Sequence, residues 1–267
     1  ELTTAWAGPM AGRVLAYLGA EVIRVETASR PCGWRHAGDI RNTFRYPDNI
    51  PGPHPYNRSA LFNSQNVGKL SLALDLKRAG GHATLLRLLA RSDVLVSNFT
   101  PGTLARLKLD YASLQAVCPE IIVVEMPAYG TSGPMAAHTA LGPTMEMATG
   151  MASMIGYRHG GAPTYTGPSY MDPIGGFNGA AGVMTALAHR RISGRGQHVE
   201  VPQVEAAMHY IGAELLHAIA SGRDPQRRGN RVDWAAPHDC YRTEGPDEWV
   251  AIAVTDDAHG VALRDLL

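Results

Sequence analysis

Short runs of apolar residues alternate in the first half of the chain with stretches whose apolar residues recur every three or four positions. The runs predict buried strands, and the spaced stretches predict amphipathic helices. We predict strands at residues 21–25, 70–74, 94–97 and 121–125, and helices at 9–18, 78–90, 104–107 and 111–117. Because strands that alternate with helices form parallel sheets, the predicted fold class is α/β, a Rossmann-like parallel sheet with helices on both faces. Ligands of such sheets bind beyond the carboxyl ends of the strands.

The pattern changes after a predicted helix at residues 202–221. A stretch rich in Arg, Gly and Pro follows, and two apolar runs then flank a Gly-Pro turn. We therefore predict a large domain at residues 1–222, a linker at 223–234 and the beginning of a smaller domain at 235–267. The chain starts with Glu1 and ends within a helical pattern, so we expect it to be part of a longer protein.

A glycine-rich helix is predicted at residues 173–190, directly after Asp172. Asp is favoured as the N-cap of a helix and Pro173 suits its first position, so the local pattern alone favours a capping role for Asp172. Each glycine costs about 1 kcal/mol in a helix interior, which implies that something approaches the backbone closely. That neighbour is either a packed helix or a ligand beside Asp172. The glycines concerned are Gly175, Gly176, Gly179 and Gly182.

Charge and composition exclude several classes of partner. Lys plus Arg and Asp plus Glu each number 24, so no net field draws the protein to nucleic acid or to an anionic membrane. No apolar run approaches the ~20 residues of a membrane span. The three cysteines, Cys32, Cys118 and Cys240, have neither disulfide nor zinc spacing, which fits a cytoplasmic location, and the histidines have no metal-ligand spacing either.

Two further features bear on ligand binding. Residues 27–66 are rich in Arg, Pro and Gly without periodicity, which is typical either of a lid over an anionic ligand or of a solvated surface segment. Glu26 ends a predicted strand, where an acid holds the ribose in dinucleotide folds. Since the chain lacks the G-x-G-x-x-G fingerprint, no nicotinamide cofactor is predicted.

Five sequence blocks stand in a distinctive order and cover nearly the whole chain. They are AGPMAGRVLAYLGAEVIRVE, NSQNVGKLSLALDL, SDVLVSNFTPGTLARLKLDYASL, YGTSGP and YMDPIGGFNGAAGVMTALAHRRISGRGQHVEV. Together they resemble the family III CoA-transferases, the CaiB/BaiF-like group that includes formyl-CoA and carnitine CoA-transferases. The match reverses the local interpretation of Asp172 as a simple cap.

The resemblance implies that Asp172 is the catalytic nucleophile. It would attack an acyl-CoA, giving an aspartyl anhydride and then an aspartyl-CoA thioester, from which CoA passes to a small carboxylic acid. An Asp is already ionised at neutral pH and needs no base. We also expect backbone N–H groups near Gly175 and Gly176 to hold the oxyanion. Neither a metal nor a nicotinamide is required.

The resemblance further implies where coenzyme A binds and how the chain assembles. The enzyme is expected to be an interlocked homodimer, with Lys69 and Arg106 as phosphate partners. The positions that match the CoA-contacting blocks of the family are Ala7, Gly68, Lys69, Asn98, Phe99, Thr100 and Arg106.

Alternatives remain open at this stage. Trp6 replaces a Gln of the formyl-CoA enzymes and Pro143 replaces their active-site Glu, which argues against a formyl or oxalyl substrate. A 2-methylacyl-CoA racemase shares the fold and would use His138 and Asp172, although racemases typically have Asp after that His, where this chain has Thr139. A non-catalytic CoA-binding fragment of a larger enzyme is the third possibility.

Overall fold

The computed structural model describes residues 1–35, 45–167 and 169–267. Its α-helices are α1 (Ala7–Tyr17), α2 (Ala60–Gln65), α3 (Ala79–Leu89), α4 (Thr103–Arg106), α5 (Tyr111–Gln115), α6 (Gly142–Ala148), α7 (Met151–Met154), α8 (Met171–Ser193), α9 (Gln203–Met208), α10 (Gly212–Ser221) and α11 (Asp257–Leu266). Its strands are β1 (Ile23–Glu26), β2 (Leu70–Ala73), β3 (Val94–Ser97), β4 (Ile122–Glu125), β5 (His198–Glu200), β6 (His238–Arg242) and β7 (Trp249–Ala253).

Two compact units divide the chain. The first consists of Glu1–Thr149 and Gly167–Tyr210, and the second of Gly150–Thr166 and Ile211–Leu267. The predicted division into residues 1–222, 223–234 and 235–267 has other boundaries than these two compact units. As a statement about domains it stays a prediction.

The first unit is built on parallel strands, as the alternating pattern predicted. Strand β1 pairs with β2, and β3, β4 and β5 form a second parallel set in that order. Residues 1–3 join the two sets, because Val25 N–H donates to Glu1 O at 3.1 Å and Leu2 N–H donates to Val96 O at 2.9 Å. Leu2 also forms a parallel bridge with Ser97. The N-terminal residues therefore lie between β1 and β3.

Alternate residues of the strands point into two separate cores. Val96, Ile122 and Val124 pack with apolar residues of α1 and α8. Their neighbours Leu95 and Val123 pack instead with apolar residues of α3, α4 and α5. Because successive side chains of a strand face opposite sides, helices cover both faces of this sheet.

Helices α1 and α8 both begin two residues earlier than the sequence pattern predicted. Helix α1 begins at Ala7 rather than Pro9, and α8 begins at Met171 rather than Pro173. Helix α1 ends at Tyr17, one residue before its predicted end, and α8 ends at Ser193, three residues after its predicted end. Soon after each helix a glycine adopts a left-handed conformation without strain, Gly19 at φ 96° and Gly194 at φ 68°. Because a proline is tolerated throughout the first turn of a helix, it locates the first residue of the helix only approximately.

The helix predicted at residues 202–221 is interrupted. Helix α9 ends at Met208, the 3₁₀ turn His209–Ile211 follows, and α10 starts at Gly212. Gly212 has a low helix propensity, which favours a break at this point.

The second unit contains the antiparallel pair β6 and β7, which confirms the two strands predicted around a Gly-Pro turn. Helix α11 follows and is capped by Asp256, whose carboxylate accepts from His259 N–H at 2.8 Å. Among the helices described, none combines the length and the apolar character needed to cross a bilayer.

Candidate active site

A cleft of about 840 Å³ opens in the first unit at the carboxyl ends of its strands. Thr27, Leu74, Asn98 and Met126 all line it, and each of them directly follows one of the strands β1 to β4. The cleft therefore lies where the parallel topology predicted a ligand site. Asp172 also lines it, close to the start of α8.

Asp172 is the second residue of α8 and is not its cap. Tyr170 occupies the N-cap position, and no side chain caps this helix. The interpretation of Asp172 as a cap, which the local pattern alone favoured, was therefore wrong, since α8 begins two residues before Pro173. The backbone N–H of Ala7, the first residue of α1, instead acts on this carboxyl group and lowers its pKa.

Burial is the main influence on the acidity of Asp172. Loss of water raises the pKa of this carboxyl group to about 6, and the hydrogen bond from Ala7 N–H opposes the rise only in part. The N-terminus of α1 adds the positive end of a helix dipole next to the carboxylate. Gly142 leaves room for the carboxylate, because a Cβ at that position would collide with Asp172 Oδ2.

The glycines of α8 face protein neighbours and not the cleft. A Cβ on Gly176 would lie 2.5 Å from Met10 Cβ and 2.9 Å from Ala7 O, both in α1. A Cβ on Gly179 would lie 2.6 Å from Met126 Sδ, and one on Gly175 would lie 2.6 Å from Gln203 Oε1. Of the two explanations offered for this glycine stripe, close packing against a neighbouring helix is the one observed.

The expected oxyanion role of Gly175 and Gly176 does not fit this arrangement. Both residues lie beyond the first four positions of α8, so their N–H groups donate to carbonyls one turn earlier in the same helix. The free donor that the structure aims at Asp172 is Ala7 N–H, at the start of α1. The sequence pattern did not reveal it because α1 begins before its proline.

Four of the predicted CoA-binding residues line the cleft: Asn98, Phe99, Thr100 and Arg106. Phe99 N–H donates to Ser97 Oγ at 3.3 Å, and its ring packs against the core beneath. Arg106 is exposed and donates to Thr103 Oγ1 at 2.7 Å, which leaves further guanidinium protons for an anion. The first three of these residues directly follow β3, and Arg106 is the last residue of α4.

The other three predicted CoA-binding residues are not among those that line this cleft. Ala7 does not line the cleft, but its N–H lowers the pKa of Asp172, which does. Gly68 is an exposed glycine at φ 76° before β2. Lys69 Nζ donates to Glu1 Oε1 at 2.9 Å and to Pro9 O at 2.7 Å, and burial lowers the pKa of its ammonium. Its role as a phosphate partner stays a prediction, and its ammonium already has protein acceptors.

The basic segment after β1 contributes to the same cleft. Arg30 lines it, whereas Arg35 donates to Glu26 Oε2 at 2.6 Å. Burial alone would raise the pKa of Glu26, but hydrogen bonds from Arg35 and Cys32 N–H and the charge of Arg24 hold that pKa below its ordinary value. The carboxylate of Glu26 thus already accepts hydrogen bonds from protein groups. The part of the predicted lid at residues 36–44 lies outside the described residues.

Sequence reasoning missed Lys77, which lines the cleft soon after β2. The rule that located Asn98 after β3 applies equally to β2, so the signal was present in the sequence. It also missed Gln203, which is buried beside the cleft and donates to Met126 O at 2.9 Å. No pattern marked Gln203, because a polar residue at the start of a helix is common.

A parallel α/β unit with a cleft at its strand ends and a partly buried carboxylate in that cleft defines an α/β protein with a candidate active site at the strand ends. The model of CoA-transferase family III matches residues 1–267. The chain therefore belongs to CoA-transferase family III.

Similar proteins agree with this assignment. The chain is 29% identical over 267 residues to acetyl-CoA:oxalate CoA-transferase of Acetobacter aceti, with 100% of this chain and 64% of that protein covered. It is 32% identical over 253 residues to the succinyl-CoA–L-malate CoA-transferase alpha subunit of Chloroflexus aurantiacus, with 94% of this chain and 56% of that protein covered. Both curated relatives are therefore longer, since the chain spans less than two thirds of each.

A solved structure confirms the mixed α/β fold with parallel sheets. The crystal structure of a CaiB/BaiF family protein from Brucella suis superposes with a TM-score of 0.85 at 28% sequence identity. The match covers 99% of this chain and 67% of that one.

Proposed function

We propose that this protein transfers CoA from an acyl-CoA thioester to a carboxylic acid, with Asp172 as the nucleophile. The observation that carries the proposal is the position of Asp172: a carboxylate in a strand-end cleft whose pKa the first backbone N–H of α1 lowers, in a chain of CoA-transferase family III. Burial is useful for this chemistry because a carboxylate that has lost water is a stronger nucleophile.

The steps balance without an external acid or base. An Asp172 oxygen bonds to the thioester carbon, the C–S bond breaks, and CoA leaves as a thiolate while an acyl-aspartyl anhydride remains. The thiolate then attacks Asp172 Cγ, which releases the first carboxylate and leaves an aspartyl-CoA thioester. The acceptor carboxylate repeats these two steps in reverse order and frees Asp172.

The protein groups around Asp172 support this sequence of steps. Ala7 N–H favours the ionised form of the carboxylate, and the positive end of α1 favours negative charge on the oxygens of each intermediate. Arg30, Lys77 and Arg106 also line the cleft and suit the phosphates of CoA. We infer that the nucleotide lies on these cations and that the thioester reaches Asp172.

Intact-mass spectrometry tests the nucleophile directly. The protein and Asp172→Ala are incubated with a panel of CoA thioesters, with and without hydroxylamine, which cleaves anhydrides and thioesters. The expected result is a hydroxylamine-sensitive adduct on the wild type only. An adduct of equal yield on Asp172→Ala would exclude Asp172, and the absence of any adduct despite CoA binding would favour the alternatives below.

The rate of adduct formation is expected to depend on pH through Asp172. Only the ionised carboxylate attacks, and its pKa lies at about 6, so the rate should rise about tenfold per pH unit below this value and level off above pH 7. Quenched-flow sampling with intact-mass detection at limiting thioester measures this profile. A flat rate between pH 4.5 and pH 8 would contradict it.

Replacing Arg106 by alanine is expected to weaken thioester binding. A charge-assisted contact with phosphate is worth about 1.5–3 kcal/mol, so KM should rise on the order of tenfold or more while kcat changes little. Arg87→Ala is the matched control, because Arg87 also donates to a threonine three residues earlier, Thr84 Oγ1 at 3.2 Å, and is not among the residues of the cleft. Equal KM values in the two variants would remove Arg106 from the site.

A 2-methylacyl-CoA racemase is the second candidate, because His138 lines the same cleft as Asp172. The ring of His138 packs edge-on against Tyr129, with centroids 6.4 Å apart. Exchange of the α-proton of a 2-methylacyl-CoA in deuterated water, without an aspartyl adduct, would favour this function. CoA binding with neither exchange nor adduct would favour a non-catalytic fragment of a larger enzyme.

The substrates, assembly and location remain proposals. The named relatives act on oxalate, succinate and malate, whereas Trp6 and Pro143 argue against an oxalyl substrate here. We propose a small carboxylic acid acceptor, an interlocked homodimer and a cytoplasmic location, in accord with the family resemblance. No metal and no nicotinamide takes part in the proposed steps.

A further inference from the structure

Asn98 holds the backbone just ahead of α1 with both ends of its amide. Its Oδ1 accepts from Thr4 N–H at 2.8 Å, and its Nδ2 donates to Thr4 O at 2.9 Å. Because Thr4 N–H can only donate and Thr4 O can only accept, these two bonds fix which way the amide points. The side chain of Asn98 therefore makes two hydrogen bonds to one residue, Thr4, which lies 94 positions away in the sequence.

Thr4 leads directly into the turn that starts α1. Ala5 follows at φ 56°, a left-handed conformation that costs a non-glycine residue about 1 kcal/mol or more. Met10 N–H then donates to Trp6 O at 2.7 Å and begins the helix. A strained turn persists only where its surroundings hold it, and Asn98 supplies two of the bonds that do so.

Helix α1 is also shaped to accept this amide. A Cβ on Gly8 would lie 2.7 Å from both Asn98 Cγ and Asn98 Oδ1. Gly8 is the second residue of α1, directly after Ala7. Its lack of a side chain thus lets Asn98 lie against the first turn of the helix whose leading N–H reaches Asp172.

We propose that Asn98 is a positioning residue that fixes the first turn of α1, and with it Ala7 N–H, against the carboxylate of Asp172. Its importance for catalysis rests on the proposed function of Asp172 as nucleophile, but the positioning itself does not. This role accounts for both amide hydrogen bonds observed. A contact of Asn98 with CoA would use the second amide proton or the second lone pair of Oδ1.

The groups around Asp172 determine how the role can be measured. Burial and Ala7 N–H are the influences on its carboxyl group, and the N–H favours the ionised form. Helix α6, which packs against α8, also carries the fully buried Glu146. The other titratable and charged side chains that line the same cleft are Glu26, Arg30, Cys32, Asp75, Lys77, Arg106 and His138.

The test is a ¹³C NMR titration of the Asp172 carboxyl carbon in Asp-labelled protein, assigned by its loss in Asp172→Asn. In Asn98→Ala the turn is released, Ala7 N–H moves off the carboxylate, and the titration midpoint should move upward from about 6 by about one pH unit. Gly8→Ala, which forces the amide aside without removing it, should move the midpoint in the same direction. Either variant suffices if the other does not fold.

Asn178→Ala is the matched control, because Asn178 Nδ2 also donates to a backbone carbonyl, Ile174 O at 2.9 Å, on the helix that carries Asp172. Its midpoint should equal that of the wild type. An unchanged midpoint in Asn98→Ala would overturn the inference, whatever adducts are found. A changed midpoint together with a wild type that forms no adduct would instead sustain the positioning and refute the proposed nucleophile.

Discussion

Replacing Asp172 by asparagine is expected to stabilise the folded protein at pH 8 while it abolishes CoA transfer. The native carboxyl group has a pKa of about 6 against 3.8 in the unfolded chain, so the native state binds its proton more tightly. The contribution of Asp172 to the free energy of unfolding is therefore largest below pH 4, falls as the pH rises from 4 to 6, and stays lower above. Asparagine keeps an acceptor for Ala7 N–H and carries no charge.

The expected gain in the free energy of unfolding is about 2 kcal/mol at pH 8, and it should vanish near pH 4. Urea titrations of both proteins at the two pH values measure it. The transfer rate should fall by a factor on the order of 10³ or more, because no other nucleophile replaces the carboxylate. An equal or lower stability of Asp172→Asn at pH 8 would show that the buried carboxylate carries no such cost.

Replacing Gly176 by alanine is expected to destabilise the fold by about 2 kcal/mol or more. The added Cβ would lie 2.5 Å from Met10 Cβ and 2.9 Å from Ala7 O, and a backbone carbonyl inside α1 cannot rotate away. Overpacking of this kind usually costs about 1–3 kcal/mol and outweighs the ~1 kcal/mol that alanine gains in a helix. Denaturant unfolding measures the change.

Gly182→Ala provides the control on the same helix. A Cβ at Gly182 would lie 3.3 Å from Val199 Cγ1 and 3.3 Å from Val201 Cγ2, and both of these are side-chain methyls that give way at low cost. Its free energy of unfolding should stay within about 1 kcal/mol of the wild type. If Gly176→Ala were equally mild, the close approach of α1 and α8 would not be what requires the glycines.

The strands were the part of the fold most open to prediction. Short apolar runs located β3 to the residue, and β2 and β4 within one residue. For β3 and β4 the reason is that a strand buried on both faces has to be apolar throughout, whereas β2 is mostly exposed. The helix starts were harder, since Pro9 and Pro173 are compatible with several first-turn positions. The place of residues 1–3 between β1 and β3 could not be predicted, because pairing between distant segments leaves no local pattern.

Residues that follow a strand could be predicted as part of the site, whereas contacts between segments distant in sequence could not. Asn98, Phe99, Thr100 and Arg106 follow β3, and all of them line the cleft with Asp172. Lys69 was expected at a phosphate because of its charge, yet its Nζ lies on Glu1 and Pro9. Only the folded chain reveals that Glu1 approaches Lys69, since the two are far apart in sequence.

The insertion of residues 1–3 between β1 and β3 bears on the order in which the molecule forms. β1 and β2 can pair early, but residues 1–3 have a partner strand on one side only until β3 has been made. The contact of Thr4 with Asn98, which directly follows β3, spans 94 positions of the sequence. During synthesis residues 1–3 must therefore stay unpaired on the side of β3 until that strand has been made. Such long-range closure slows folding and exposes a strand edge, so binding by a chaperone is expected to matter most before Asn98 leaves the ribosome.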